Sequence, residues 1–217
     1  MEKQEILLNQ DSDSVQYLIK KDKRFGIVVK NISEISYTLN VCDPYVFLVD
    51  TIVGQMLSKK VATIICKRIH DLCNNKISPE NIHKIKHEEF RNAGVSNSKI
   101  EYIKNLTSAV LSNSLNLPEL SQKDDEDVML LLRNVRGIGA WSAKMFLIFV
   151  LNRPDVLPFE DGAFLQSYAW LYNTKDLKPS SIKKRCKKWS PYSSIAARFL
   201  YKALDQGLTK TPFNRFL

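Results

Sequence analysis

The sequence predicts an all-α protein, and three observations carry that prediction. Apolar residues recur three and four positions apart through most of the chain, the spacing that lines one face of a helix. Residues suited to helix ends bracket these stretches: Ser58, Ser96, Asp124 and Asp161 at starts, Pro79 just inside one, and Gly94 past an end. No stretch has a convincing strand pattern, and no internal repeat or low-complexity linker divides the chain.

Taken in order, Ser14 to Lys23 reads as a short helix with Val15, Leu18 and Ile19 inward, followed by another from Phe25 to Ile32. Residues 45 to 57 carry Phe47, Leu48, Thr51, Ile52 and Gln55 at helical spacing. Ser58 caps the next helix, Lys59 to about Cys73, which leaves Gln55-Met56-Leu57 at a helix–helix corner. Ser78-Pro79 opens a short helix with proline at its favoured first position. His87 to Ala93 is helical up to Gly94, and Ser96 caps a long helix to about Asn113 with Ile100, Ile103, Leu106 and Val110 on one face. Asn116 to Gln122 reads as a loop around Pro118, and Asp124 to Asp127 place negative charge on a helix's first turn, where the macrodipole favours it. Trp141 to Asn152 is helical until Arg153-Pro154, Val156 to Phe159 is extended, and Asp161 starts a helix through Phe164, Leu165, Tyr168 and Trp170. Ser180 begins a helix bearing Lys183, Lys184, Arg185, Lys187 and Lys188, and Tyr192 to Leu204 is the last helix.

A chain of 217 residues suits one large domain or two small lobes, and 44% hydrophobic residues suffice for an ordinary core. Lys or Asp interrupts every apolar run before it reaches membrane-spanning length, and the N-terminal MEKQEILLNQDSDS lacks the apolar core of a signal peptide. An intracellular protein is expected, cytoplasmic in a bacterium or nuclear in a eukaryote. Lys and Arg number 32 against 23 acids, for a formal charge of +9 that favours a polyanionic partner. Cys42, Cys66, Cys73 and Cys186 form no C-x-x-C pair, which argues against a zinc site.

The stretch with most chemistry is LRNVRGIGAWSAKMFLIFVLNRPDVLPFEDGAFLQ, Leu132 to Gln166. Gly137 and Gly139 lie in a tight turn between two apolar helical patterns, where they are expected to adopt backbone geometries that a β-carbon would penalise and to bare the amides that open the next helix. Such a nest of N–H groups suits a phosphate. Downstream, Asp161 stands at a helix start, the place of an ordinary cap or of a carboxylate positioned for catalysis.

This stretch resembles the core of the helix-hairpin-helix DNA glycosylases, and GIGAWSA is close to their alkyl-purine branch. DPYVFLVDTIVGQMLS (Asp43 to Ser58), FRNAGVSNSKIEYIKNLTSAVL (ending at Leu111) and WSPYSSIAARFLYKALDQG (Trp189 to Gly207) are similar to the branch's other helices, in the family's order. The resemblance implies a two-lobed helical fold with the active-site cleft between the lobes. The whole chain, 1–217, would then be a single catalytic unit, with one lobe of 1–42 plus 160–217 and another of 43–159 that holds the hairpin at 133–141. The residues ahead of Asp43 leave no room for the N-terminal β-domain that larger relatives add.

The same resemblance implies the site. The family's catalytic aspartate falls on Asp161, with Glu160 and Asp155 as weaker rivals. Trp141 stands where strand-nicking members carry a Schiff-base lysine, so water is the expected nucleophile and the activity monofunctional. Lys144, one turn on, suits a phosphate or solvent contact. Trp141, Met145 and Tyr201 match walls of the base pocket, although helical aromatics more often pack in a core and relatives often carry a larger aromatic at Met145. Gln55 and Met56 match the wedge that fills the gap of an extruded base, with a buried methionine as the ordinary alternative. Arg136, Gly137, Ile138, Gly139, Ala140 and Ser142 match the DNA-binding hairpin. Carbonyls of Arg133, Val135 and Ile138 match a monovalent-cation site (Na+ or K+). Cys186 stands alone, so the iron–sulfur cluster of some members is not expected. The implied protein is a monomer that binds damaged duplex DNA, requires no cofactor and excises alkylated purines, 3-methyladenine first. Two readings stay open beside it: a glycosylase for hypoxanthine or an oxidised purine, and a non-catalytic damage-recognition protein.

Overall fold

A computed structural model describes residues 4–39 and 42–217. The chain divides into two compact units, Cys42–Leu151 and a second formed by Met1–Val41 with Asn152–Leu217.

The discontinuous unit begins with β1 (Gln4–Leu8), α1 (Asp13–Lys21), α2 (Lys23–Ile32) and β2 (Ile35–Leu39). The strands pair antiparallel, Gln4 opposite Leu39 and Leu8 opposite Ile35, against the expectation of no strand. They are five residues each and only Leu8 is buried, so they lack the run of buried alternate side chains that marks a strand in sequence. After Asn152 the unit continues with α10 (Gly162–Tyr172), α11 (Pro179–Cys186) and α12 (Ser193–Asp205). Its core joins Val15, Leu18, Phe25 and Val29 of the first segment to Phe164, Tyr168, Trp189 and Phe199 of the second.

Asp22 holds the α1–α2 junction. Its carboxylate caps α2 through the N–H groups of Arg24 and Phe25. It also accepts hydrogen bonds from the Tyr172 hydroxyl and from Trp189 Nε1 at 3.0 Å, and Lys188 Nζ lies at 2.9 Å. Burial raises its pKa, but the three donors outweigh burial and the net shift is downward. Lys188 and Arg185 of the basic segment are therefore drawn into the fold, Arg185 through the Tyr168 hydroxyl at 3.0 Å and the Tyr172 ring.

The segment from 152 to 161 belongs to this unit because its polar groups are tied to α12. Val156 N–H donates to Ser194 Oγ at 2.9 Å, and Asp155 accepts from Ser193 N–H and the Ser190 hydroxyl. Asp155 thus pins a loop.

The continuous unit comprises α3 (Pro44–Gly54), α4 (Lys59–Leu72), α5 (Pro79–Lys84), α6 (His87–Ala93), α7 (Asn97–Leu111), α8 (Asp125–Arg133) and α9 (Ala140–Phe149). Asp43, Ser58, Ser78, Ser96 and Asp124 each accept from a backbone N–H at a helix start, satisfying groups that helical bonding leaves open. The expected loop after Asn116 contains a 3₁₀ turn, Pro118–Gln122, whose Leu120 is buried. Helix α9 ends three residues earlier than the sequence suggests, with Asn152 turning the chain at φ 51. Helix α3 packs on α4, α7 and α9, with Leu48, Val49, Ile52 and Val53 buried. No helix of the described residues is long and apolar enough to cross a membrane.

Candidate active site

In the continuous unit the site is built around the turn between α8 and α9. Gly137 sits at φ 107, and a Cβ there would lie 2.3 Å from the Tyr102 side chain, so both conformation and packing demand glycine. Gly139 differs from the expectation. Its φ of −92 and ψ of −178 are extended backbone open to any residue, and a Cβ would meet nothing within 4 Å. Gly139 is the exposed N-cap of α9 and no side chain caps that helix, so the first amides of α9 follow a bare glycine. Arg136 is exposed on the turn, with Glu101 3.9 Å away.

The α3–α4 corner is bonded to this turn. Gln55 Nε2 donates to the Gly137 carbonyl at 2.9 Å and to Ser142 Oγ at 3.3 Å. Met56, next to it, takes φ 57 and is fully exposed, at 101% of its reference area. The ordinary alternative of a buried methionine does not apply. Sequence reasoning misses Lys99, whose Nζ donates to the carbonyls of Val53 and Gln55 at this corner. The available signal is its place one turn before Ile103 on the inward stripe of α7, unusual for a lysine. On α9, Trp141 is half-buried, Lys144 is half-buried and Met145 is buried.

In the discontinuous unit, Asp161 is the N-cap of α10. Its Oδ1 accepts from Phe164 N–H at 2.7 Å, and the residue is 9% exposed. The Tyr201 hydroxyl of α12 lies against this carboxylate; burial and then the neighbouring carboxylate push the phenol's pKa well up. Tyr201 therefore meets Asp161. Glu160 is exposed beside it, and Phe159, one residue earlier, carries Lys183 Nζ 4.4 Å above its ring.

Among the described residues no cluster of three or more His, Cys, Asp or Glu could hold a metal ion. The four cysteines are free, and burial pushes the thiols of Cys66 and Cys186 up to about 12, which leaves them unreactive. At the hairpin, the Val135 carbonyl accepts from Ile138 N–H at 3.0 Å, which uses one of its two lone pairs.

Helices α8 and α9, joined by this glycine turn, form a helix-hairpin-helix element. The chain belongs to the HhH-GPD superfamily of base excision DNA repair proteins, whose family model matches residues 49–191. It is 30% identical over 164 residues to DNA-3-methyladenine glycosylase 1 of Schizosaccharomyces pombe, covering 74% of this chain and 72% of that one. Among solved structures it resembles a DNA-3-methyladenine glycosidase from Bacillus halodurans, at 33% identity and a TM-score of 0.78 over 91% of this chain and 92% of that one. The Schizosaccharomyces pombe 3-methyladenine DNA glycosylase Mag1, solved with abasic DNA, matches at 27% identity and a TM-score of 0.82, over 89% and 97% of the two chains.

Proposed function

We propose that this protein is a monofunctional DNA N-glycosylase that extrudes alkylated purines, 3-methyladenine and related bases, from duplex DNA and hydrolyses their glycosidic bond. The observation that carries the reading is Asp161, a carboxylate fixed at the start of α10 by Phe164 N–H and still reachable at 9% exposure.

Cleavage of the bond between the base nitrogen and C1′ leaves its electron pair with the departing purine and positive charge on the deoxyribose. The Asp161 carboxylate stabilises that charge and orients the water that adds to C1′, whose proton it accepts. An abasic site and a free base result. An alkylated purine is already electron-poor, so it departs readily, and the ring of Trp141 attracts it by stacking and cation–π interaction. Met145, on α9 with Trp141, is a second proposed wall for the base, and Tyr201 is proposed to serve beside Asp161. Trp141 supplies no amine, so no Schiff base forms there. Amides of the hairpin from Arg136 to Ser142 hold phosphate, and Gln55 and Met56 form the wedge. The carbonyls of Arg133, Val135 and Ile138 are the proposed ligands of a monovalent cation, which would add positive charge beside that phosphate. No cofactor takes part in the proposed hydrolysis. The protein acts within the cell as a monomer.

The test is incubation with methylated duplex DNA and chromatographic identification of the released bases. Release of 3-methyladenine, strand breakage only after alkali or heat, and no borohydride-trapped adduct are expected. A trapped adduct that depends on damaged DNA would refute the monofunctional chemistry. DNA binding without any base release would favour a damage-recognition protein.

A further inference from the structure

The α3–α4 corner offers an apolar side chain to solvent on backbone of unusual conformation. Met56 lies in the left-handed region that residues with side chains rarely adopt, and it is wholly exposed. Such a conformation persists only where its surroundings over-determine it. Here two side chains do so. From α7, Lys99 Nζ donates to the Val53 carbonyl at 2.8 Å and the Gln55 carbonyl at 2.7 Å, at a helix end where carbonyls lack intrahelical partners. From the corner itself, the Gln55 amide reaches the Gly137 carbonyl and Ser142. Lys99 is half-buried, and burial lowers its ammonium pKa. The two carbonyls offset the cost of placing a charge there.

A lysine needed only to end α3 could satisfy those carbonyls from α3 itself, as basic residues in a last helical turn do. This one comes from α7, 46 residues from Val53 in sequence, and so fixes the corner against a second helix. We infer that Lys99 is a positioning residue for DNA engagement: its clamp on the Val53 and Gln55 carbonyls holds the corner in the conformation that offers Met56 to the duplex, where it fills the gap left by an extruded base. The inference rests on the glycosylase reading above.

The test uses a duplex with a tetrahydrofuran abasic-site analogue flanked by 2-aminopurine, whose fluorescence rises when its stacking is disturbed. Wild-type protein should raise the signal, and Met56→Ala should lose most of that rise. Lys99→Met should lose as much while remaining folded by circular dichroism. Its preference for the abasic duplex over an undamaged one should fall roughly ten-fold, the scale of one lost charge-assisted hydrogen bond. The Lys99→Met/Met56→Ala double variant should be no worse than either single one, because both remove one function. Lys99→Arg, which keeps two donors, should restore part of the signal.

A wild-type fluorescence rise from folded Lys99→Met, or fully additive losses in the double variant, would overturn the inference. Should Lys99→Met fail to fold, Lys99→Gln, able to serve one carbonyl, is read instead: a partial loss supports the clamp and a full wild-type rise overturns it. If wild-type protein neither raises the signal nor releases methylated bases, the glycosylase reading itself fails. Base release by wild-type protein with unimpaired Lys99 variants would remove the Lys99 inference alone.

Discussion

Helices α2 and α10 begin in the same way and serve different ends. Each has a buried aspartate as N-cap, Asp22 at 3% exposure and Asp161 at 9%, and each accepts a backbone N–H of its own first turn. Around Asp22 converge the ammonium of Lys188, the indole of Trp189 and the phenol of Tyr172, donors drawn from distant parts of the unit. That carboxylate is consumed by the fold. Asp161 stands at the end of an extended loop beside exposed Glu160, with the Tyr201 phenol against it. Identical capping chemistry thus supports a structural hub in one place and, on our reading, a catalytic group in the other.

The sharpest way to break this comparison is to remove the charge from Asp161. An asparagine retains the capping oxygen for Phe164 N–H, so Asp161→Asn should fold with a melting temperature close to wild type. Excision should fall on the order of 10²–10³-fold, as when one preorganised electrostatic partner of a transition state is lost. Binding to abasic DNA should survive. Near-normal base release by this variant would remove Asp161 from the chemistry.

Asp22→Ala should do the reverse. It loses a cap and strands the Trp189 and Tyr172 donors, at a cost of about 3 kcal/mol in stability, with turnover per folded molecule unchanged. The pH dependence has a definite sign. Because the folded-state pKa of Asp22 lies below its ordinary value of 3.8, its contribution is present above that value and disappears as pH falls through the folded pKa. Wild-type melting temperature should therefore drop more steeply below about pH 4 than that of Asp22→Asn. Parallel thermal melts of the two proteins between about pH 2.5 and 7 would leave Asp22 without its assigned weight.

Much of this architecture is legible in the sequence. Helix order, most caps and the hairpin follow from local signals, since a Ser or Asp ahead of an apolar-periodic run has few other uses. Asp161 is marked by its motif, whereas nothing local marks Asp22, because its partners Tyr172, Lys188 and Trp189 lie 150 or more residues away. Lys99 is hidden for a similar reason: its acceptors are backbone carbonyls, which no residue type announces. The β1–β2 pair escapes a sequence reading because two short strands with a single buried residue carry little pattern of their own.

Gly137 and Gly139 repeat the contrast in the other unit, and their predicted effects are smaller. Gly137→Ala combines a positive φ with a Cβ pressed on Tyr102, so it should cost about 2 kcal/mol or more in stability, read by denaturant titration. Gly139 should tolerate a side chain almost freely in the isolated protein, because its backbone is extended and nothing lies within 4 Å of a Cβ. Any demand for glycine there must come from outside the fold. If phosphate meets the amides at the start of α9, Gly139→Val interposes a branched side chain at the point of approach. It should weaken damaged and undamaged duplexes alike, while the melting temperature stays near wild type. Titration at two salt concentrations adds a second readout, since affinity falls on a log–log plot with a slope near about −0.9 for each phosphate neutralised. A lost phosphate contact through neutral amides should lower affinity at both salts with little change in slope, whereas loss of a lysine contact would flatten the slope. Selective loss of lesion preference in Gly139→Val would instead place this residue at the base pocket and end its pairing with the phosphate anchor.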